Sequence, residues 1–258
     1  MFQGNENGVV MRRERTLEFI SEDRPCSYLD GPTSKIRYRL IEHCSTLAYQ
    51  NMIEHGWRRF GKLFFTPVCQ GCNACLSLRI DVNRFHRSRN LKRVENRNAA
   101  TRIVIQRPSL TTEHFNLYRR YHQDMHVRRG WEQEVTTPYD YYQAFVEGHE
   151  EYGFEILYYR GHRLIGVALS DILPQAVSAV YFYYDPMYRH LSPGVFSVLT
   201  QVNIAKERGI PYIYLGYWVK ENISLSYKSR YQPHEILQGR PALDEPAYWV
   251  SPDVFSGL

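Results

Sequence analysis

The sequence predicts an α+β protein in which mixed sheets are flanked by helices, in two halves of related order. Three observations carry this. The second half of the chain reads helix, helix, strand, strand, strand, helix, strand, with Gly, Pro or capping residues at the boundaries. The first half shows a looser version of the same order. Apolar residues make up 43% and charged residues 23% of 258, which supplies a core and excludes disorder as the main state.

The elements follow in order. Residues 1–24 are polar and read as an N-terminal arm, 25–108 as a basic domain and 109–258 as a second domain. Arg37 to Cys44 alternates as a strand. Ser45 caps a helix, TLAYQNMIEH, with Gly56 at its C′ position. Trp57 to Phe65 reads as a hairpin arm, and Pro67 breaks into a cysteine-rich loop. LSLRIDV is a strand, Ser88 caps a helix SRNLKRVENRN, and RIVIQ is a strand stopped by Pro108. A helix runs from Thr112 to about His126 and another from Pro138 to Gly148. EILYY and RLIGVAL are joined through Arg160-Gly161-His162 as a hairpin. VSAVYFYYD is a long strand. Pro193 to Arg208 is a helix with Gly209 at C′, PYIYLGY is a strand, and the tail after Asn222 is irregular.

This order is that of the GCN5-related acyltransferase fold, which binds an acyl carrier's phosphates at the N-terminus of the helix after the long strand. Here that loop is Arg189-His190-Leu191-Ser192-Pro193-Gly194. Ser192 stands where acetyl-CoA users carry a glycine, and Pro193 removes a donor, so the loop argues against CoA as the carrier.

Charge divides unevenly. Residues 1–108 carry 19 Lys and Arg against 10 Asp and Glu, net +9, and residues 109–258 carry 13 against 17, net −4. A basic half suits a polyanionic partner. No stretch reaches the ~20 apolar residues of a membrane span, and the first twenty residues show no secretory pattern. A cytoplasmic protein with no membrane partner is expected, with its five cysteines reduced or on metal.

Three clusters carry chemistry. Cys69-x2-Cys72-x2-Cys75 puts three thiols on one short loop, and Cys26, after Pro25, is the preferred fourth over Cys44. Thiolates converging on a point suit an iron–sulfur cluster or zinc; reduced thiols packing a tight loop are the alternative. Arg84, Arg87, Arg89, Lys92, Arg93 and Arg97 oppose only Glu95, and Arg89, Arg93 and Arg97 share one helix stripe, suited to phosphates or simply to solvent. The third cluster is Tyr181 to Pro186, Ser192 to Gly194, Tyr212 to Trp218 and Tyr227-Lys228. Asp185 ends a strand there, and Gly216 permits close approach of backbone.

Together, Pro25-Cys26-Ser27-Tyr28-Leu29, Gly56-Trp57-Arg58-Arg59-Phe60-Gly61, the cysteine triplet, Phe85-x2-Ser88-Arg89, Tyr183-Tyr184-Asp185-Pro186, Leu215-Gly216-Tyr217-Trp218 and Tyr227-Lys228 resemble the aminoacyl-tRNA–protein transferases. The resemblance is nearer to the bacterial aspartate/glutamate leucyltransferase branch than to the eukaryotic arginyltransferases. The chain departs from the family at Pro193, at Leu225 and at Asn222, where Leu, Met and Cys are usual.

The resemblance implies transfer of leucine, alternatively arginine, from an aminoacyl-tRNA to proteins with N-terminal Asp or Glu, marking them for degradation. This is aminolysis of an activated ester, for which no cofactor is required. Asp185 is the expected general base, with Tyr184 or Tyr217 relaying a proton or stabilising the oxyanion. Arg58, Arg59 and Lys228 are the expected cations for the acceptor's carboxylate, with Tyr227, Ser192, Gly194 and Gly216 around the aminoacyl group. The basic stripe would hold tRNA. Two rivals are a CoA-dependent N-acetyltransferase and a metal-stapled RNA-binding module without turnover.

Overall fold

A computed structural model describes residues 16–132, 135–148 and 151–252. In chain order the elements are β1 (Thr16–Ile20), β2 (Arg24–Pro25), β3 (Thr33–Ser34), β4 (Ile36–Ile41), α1 (Thr46–Glu54), β5 (Arg58–Phe60), β6 (Leu63–Pro67), β7 (Leu76–Asp81), α2 (Arg89–Arg97) and β8 (Arg102–Gln106). They continue with α3 (Thr112–Arg129), α4 (Pro138–Phe145), β9 (Gly153–Arg160), β10 (Arg163–Ile172), β11 (Ala176–Tyr184), α5 (Pro193–Glu207), β12 (Tyr212–Trp218), β13 (His234–Leu237) and β14 (Trp249–Val250). Short 3₁₀ turns span Pro186–Leu191 and Ser226–Arg230.

The protein is α+β, as its sequence predicts. Two sheets of more than two strands carry the fold. One has the order β1-β4-β6-β5, and an eight-stranded sheet has the order β14-β13-β7-β12-β11-β10-β9-β8. The large sheet draws strands from both sides of residue 108, because β7 pairs with β12 and β13, and β8 pairs with β9. Its centre realises the expected order: β9, β10 and β11 form an antiparallel meander, α5 follows, and β12 returns parallel to β11.

Local chemistry explains the helix ends. Ser45 and Ser88 accept from Ala48 and Leu91 backbone N–H groups, as a capping serine does. Thr137 and Asp140 form a reciprocal capping box on α4, with Pro138 in its first turn. The helix α3 runs three residues past the expected end, to Arg129, where Gly130 takes a left-handed φ of 67°. By contrast, α4 stops at Phe145, short of Gly148.

Two expectations need correction. The arm over 1–24 is not wholly loose: Thr16–Ile20 pairs in full register with Ile41–Arg37, while residues 1–15 lie outside those described. The tail after Asn222 is partly regular, since β13 adds to β7 and β14 to β13.

One core lies between the large sheet and α2 and α5, built on Leu78, Ile80, Val177, Leu199, Val202 and Ile213. On the opposite face α3 and α4 cover an aromatic cluster around Tyr118, Tyr141, Phe145, Leu157 and Tyr183. Among the described residues no helix is long and apolar enough to cross a membrane.

Candidate active site

The sheet opens at one place. The parallel strands β11 and β12 pair only from Ala176–Ser178 against Tyr212–Tyr214, although β11 runs on to Tyr184 and β12 to Trp218. Their carboxyl halves therefore part, leaving backbone groups without a ladder, and such crevices beyond parallel strands are where ligands bind.

Arg58, projecting from β5, fills the base of this wedge. Its Nη1 donates to Ser178 Oγ at 3.1 Å and to the Tyr214 carbonyl at 3.5 Å, and its Nη2 to the Ala179 carbonyl at 2.5 Å. It thus takes up carbonyls of both strands where their pairing ends. A bulge in β12 between Tyr214 and Gly216 makes room. Gly216 holds φ +77°, and a Cβ there would lie 3.0 Å from Arg58 Nε.

Arg58 is 8% exposed, yet no carboxylate among the described residues pairs with it. Lys228 lies beside it and donates to the Tyr217 carbonyl at 2.6 Å. Burial, then the charge of Arg58, pulls the Lys228 amine down to about 7, and Cys75 acts against them. Tyr28 and Tyr217 also stand within electrostatic reach of Arg58. The wedge therefore holds a buried guanidinium beside a buried amine, without a carboxylate partner for Arg58 among the described residues. Buried charge of this kind is costly unless a partner arrives.

The other expected residues distribute as follows. Arg59 is not available to a substrate. Its Nε and Nη2 grip both oxygens of buried Asp171 at 2.9 and 2.5 Å, and its Nη1 donates to the Gly61 carbonyl at 2.7 Å. Burial works to lower its pKa, but Asp171, Tyr49 and Tyr152 outweigh it and hold the guanidinium charged.

Tyr217 is likewise committed, its hydroxyl donating to the Gly56 and Phe65 carbonyls at 3.0 and 3.3 Å. It ties β12 to the small sheet, which removes its single proton from a relay. Asp185 is 1% exposed. Arg163 Nη2 donates to its Oδ2 at 2.6 Å, the Met187 N–H to its Oδ1 at 3.1 Å, and Arg120 stands 3.7 Å away. Acting as a base would require giving up that pair.

Tyr184 is half-buried, stacks on Phe182 and approaches Tyr121. Tyr227 packs against the core of α2 and α5, with its ring 6.4 Å from that of Tyr231. Ser192 takes φ 55°, a left-handed conformation, and gives α5 no side-chain cap. Gly194 has only Phe182 near its would-be Cβ, at 4.0 Å. Sequence reasoning did not single out Asp171, Ser178, Arg120 or Arg163. A carboxylate inside RLIGVALSDI was the available signal, since a charge in a buried strand requires a partner.

The basic stripe divides. On α2, Arg89, Lys92 and Arg93 are exposed and meet no carboxylate among the described residues. Arg97 donates to the His190 carbonyl at 3.0 Å and to Ser192 Oγ at 3.4 Å. Arg87 pairs with Glu95 and bonds Asn203, and Arg84 pairs with Asp81.

Cys26, Cys69 and Cys72 all lie in electrostatic reach of Cys75, whereas Cys44 lies near Tyr152 in another core. Burial pushes the Cys75 thiol up to about 11, the other three sulfurs add to this, and Arg240 opposes it. The donor chemistry suits a cluster or zinc. The four sulfurs lie close enough to act on one another electrostatically, although among the described residues no group of three or more Cys, His, Asp or Glu is already drawn together around one point.

Known proteins resemble this chain along most of its length. Residues 24–93 match the family model described as arginine-tRNA-protein transferase, N terminus, and residues 113–238 match its C-terminus counterpart. An aspartate/glutamate leucyltransferase of Helicobacter hepaticus is 44% identical over 235 residues, covering 91% of this chain and 98% of the relative. One from Campylobacter jejuni is 41% identical over 229 residues, covering 89% and 96%. The crystal structure of FemX aligns with 95% of this chain and 90% of its own, at TM-score 0.49 and 8% identity. On the family matches and the identity to these leucyltransferases, the chain belongs to the aminoacyl-tRNA–protein transferases.

Proposed function

We propose that the protein moves a leucyl group from Leu-tRNA to the α-amine of proteins that begin with Asp or Glu, in the cytoplasm, marking them for degradation. The observation that carries the acceptor choice is Arg58: a buried guanidinium with no carboxylate partner among the described residues, beside a buried amine, at the opening of the sheet. An Asp or Glu side chain entering there supplies the missing counter-ion, and the uncharged Asn or Gln does not.

The chemistry needs little more than positioning. The acceptor nitrogen attacks the ester carbonyl, the bond to the ribose oxygen breaks, and that oxygen leaves with a proton. An α-amine with pKa near 8 is already neutral for roughly a fifth of molecules slightly above neutral pH. A general base therefore assists the reaction rather than deciding it, which fits the engagement of Asp185 by Arg163. Ester aminolysis requires neither ATP nor CoA, and no step passes through the cysteines.

The test is a transfer assay with Asp-, Glu-, Asn- and Gln-ended peptides, leucine- and arginine-charged tRNA, and the Arg58→Met variant. Leucyl transfer to the acidic peptides, with the Asp-over-Asn preference lost in Arg58→Met, is the expected result. Transfer of arginine alone would reassign the donor, and a variant that keeps its preference would move the acidic pocket elsewhere.

A further inference from the structure

The turn directly after β11 is built as a fixed platform on which Met187, Arg189 and His190 are exposed and Tyr188 is half-buried, one side of its ring against the core beneath. Asp185 caps it through Met187 N–H, and the Tyr188 N–H donates to the Asp185 carbonyl at 2.9 Å. Leu191 anchors it in a core, and buried Asn98 donates to the Leu191 carbonyl at 2.8 Å. Arg97 of α2 holds the His190 carbonyl, and Arg160 Nη2 donates to the Arg97 carbonyl at 2.6 Å. Three elements are thus locked into one surface: α2, the turn and the tip of the β9–β10 hairpin.

What this surface presents is unusual for a solvated turn. Met187 is 73% exposed. Tyr188 and His190 stack with ring centroids 6.4 Å apart and ring planes 25° apart. Arg163 lies 5.9 Å from the Tyr188 ring and half out in solvent. Of the acidic groups alongside, Asp185 is matched by Arg163 and Asp124 by Arg128 and Arg189, while Glu113 accepts from the Leu164 N–H next to Arg163. Aromatic faces interleaved with arginines, on a rigid frame, suit unpaired nucleotides: bases stack on the rings and phosphates meet the cations. Duplex RNA, whose bases are already stacked, gains only the cations.

We infer that the turn Pro186–Leu191, with Arg160 and Arg163 of the adjoining hairpin, seats the unpaired 3′ end of the tRNA. This rests on the proposed function. The turn follows the same strand whose carboxyl half opens the wedge, so a 3′ end held here is led toward Arg58 and Lys228, while the α2 stripe takes phosphates of the duplex arm.

The experiment compares binding of a leucine-accepting tRNA with the same tRNA lacking its unpaired 3′ end. It uses the wild type, a Tyr188→Ala/His190→Ala variant and Arg160→Gln, each checked for an unchanged melting curve. The wild type should lose tenfold or more on truncation of the tRNA, and the double variant should bind both tRNAs with the affinity the wild type has for the truncated one. Arg160→Gln should lower the salt slope by about one for the full tRNA. If either soluble, folded variant distinguishes the two tRNAs as well as the wild type does, with an unmoved salt slope, the seat lies elsewhere. Leucyl transfer would then still stand; a wild type with neither transfer nor tRNA binding would remove the functional reading together with the seat.

Discussion

Arg58 and Gly216 occupy one space: the guanidinium fits at the base of the wedge between β11 and β12 only because residue 216 has no side chain, a Cβ there falling 3.0 Å from Arg58 Nε. Gly216→Ala therefore costs roughly 1–2 kcal/mol for the left-handed backbone alone, with a further cost as Arg58 is displaced. We expect a lower urea midpoint and a raised KM for an Asp-ended peptide. A variant with both unchanged would mean that Arg58 does not need its present seat.

Arg59 and Asp171 form the buried pair on which the small and large sheets meet. Removing either partner leaves a charge uncompensated inside, at roughly 3–5 kcal/mol. Arg59→Ala and Asp171→Ala should each lower the unfolding free energy measured by urea titration by that order, and the double variant should lose less than the sum. Additive losses would show that the two do not couple.

Lys228 imposes a pH dependence whose sign is fixed. Its pKa is about 7 in the folded protein, held down by burial and then by Arg58, against an ordinary value of 10.5 in the unfolded chain. Between these values the unfolded chain binds the extra proton, so stability rises with pH from about 7 toward 10. Below pH 7 both states are protonated and the penalty is complete and constant. Lys228→Met should melt higher than wild type near pH 6, and its advantage should shrink by about pH 9. A constant difference across this range would place Lys228 in a wetter setting. Carboxylate binding favours the charged amine, so the KM for acidic peptides should climb above about pH 7 in the wild type alone.

Arg89, Lys92 and Arg93 stand exposed on α2, unneutralised by any described carboxylate. Charge reversal at Arg89 and Arg93 should weaken tRNA binding and reduce its salt slope by about one for each phosphate no longer neutralised. Binding with an unchanged slope would leave the stripe as a solvated face.

Asp185→Asn separates a base from a brace. Loss of the charge leaves Arg163 and Arg120 without their shared partner, so the melting temperature should fall while kcat drops by less than about tenfold. A fall of about 10²–10⁴ in kcat at unchanged melting would instead make Asp185 the proton acceptor.

Much of the fold was legible because periodicity, caps and glycines agree along β9 to β12, where each strand is long and bounded by a turn signal. The four-residue β13 was not. Its residues His234–Leu237 mix polar and apolar types, and only the ladder with β7 makes them a strand. The candidate site was legible by residue type but not by role. Arg58 and Arg59 are adjacent in sequence, and alternation in a strand sends successive side chains to opposite faces. One enters the wedge and the other meets Asp171, 112 residues onward. Nothing local distinguishes them, because their partners are supplied by distant strands.

The placement of β7 sets how the chain can be made. Its neighbours on both sides, β12 and β13, come from the far end of the sequence, with Asp81 waiting for Tyr212. During synthesis the LSLRID strand exists with two open edges until nearly the whole chain has left the ribosome, and open edges recruit other strands. A fragment ending at residue 108 inherits that condition permanently. A break at the charge boundary would therefore part β7 from both of the strands that flank it.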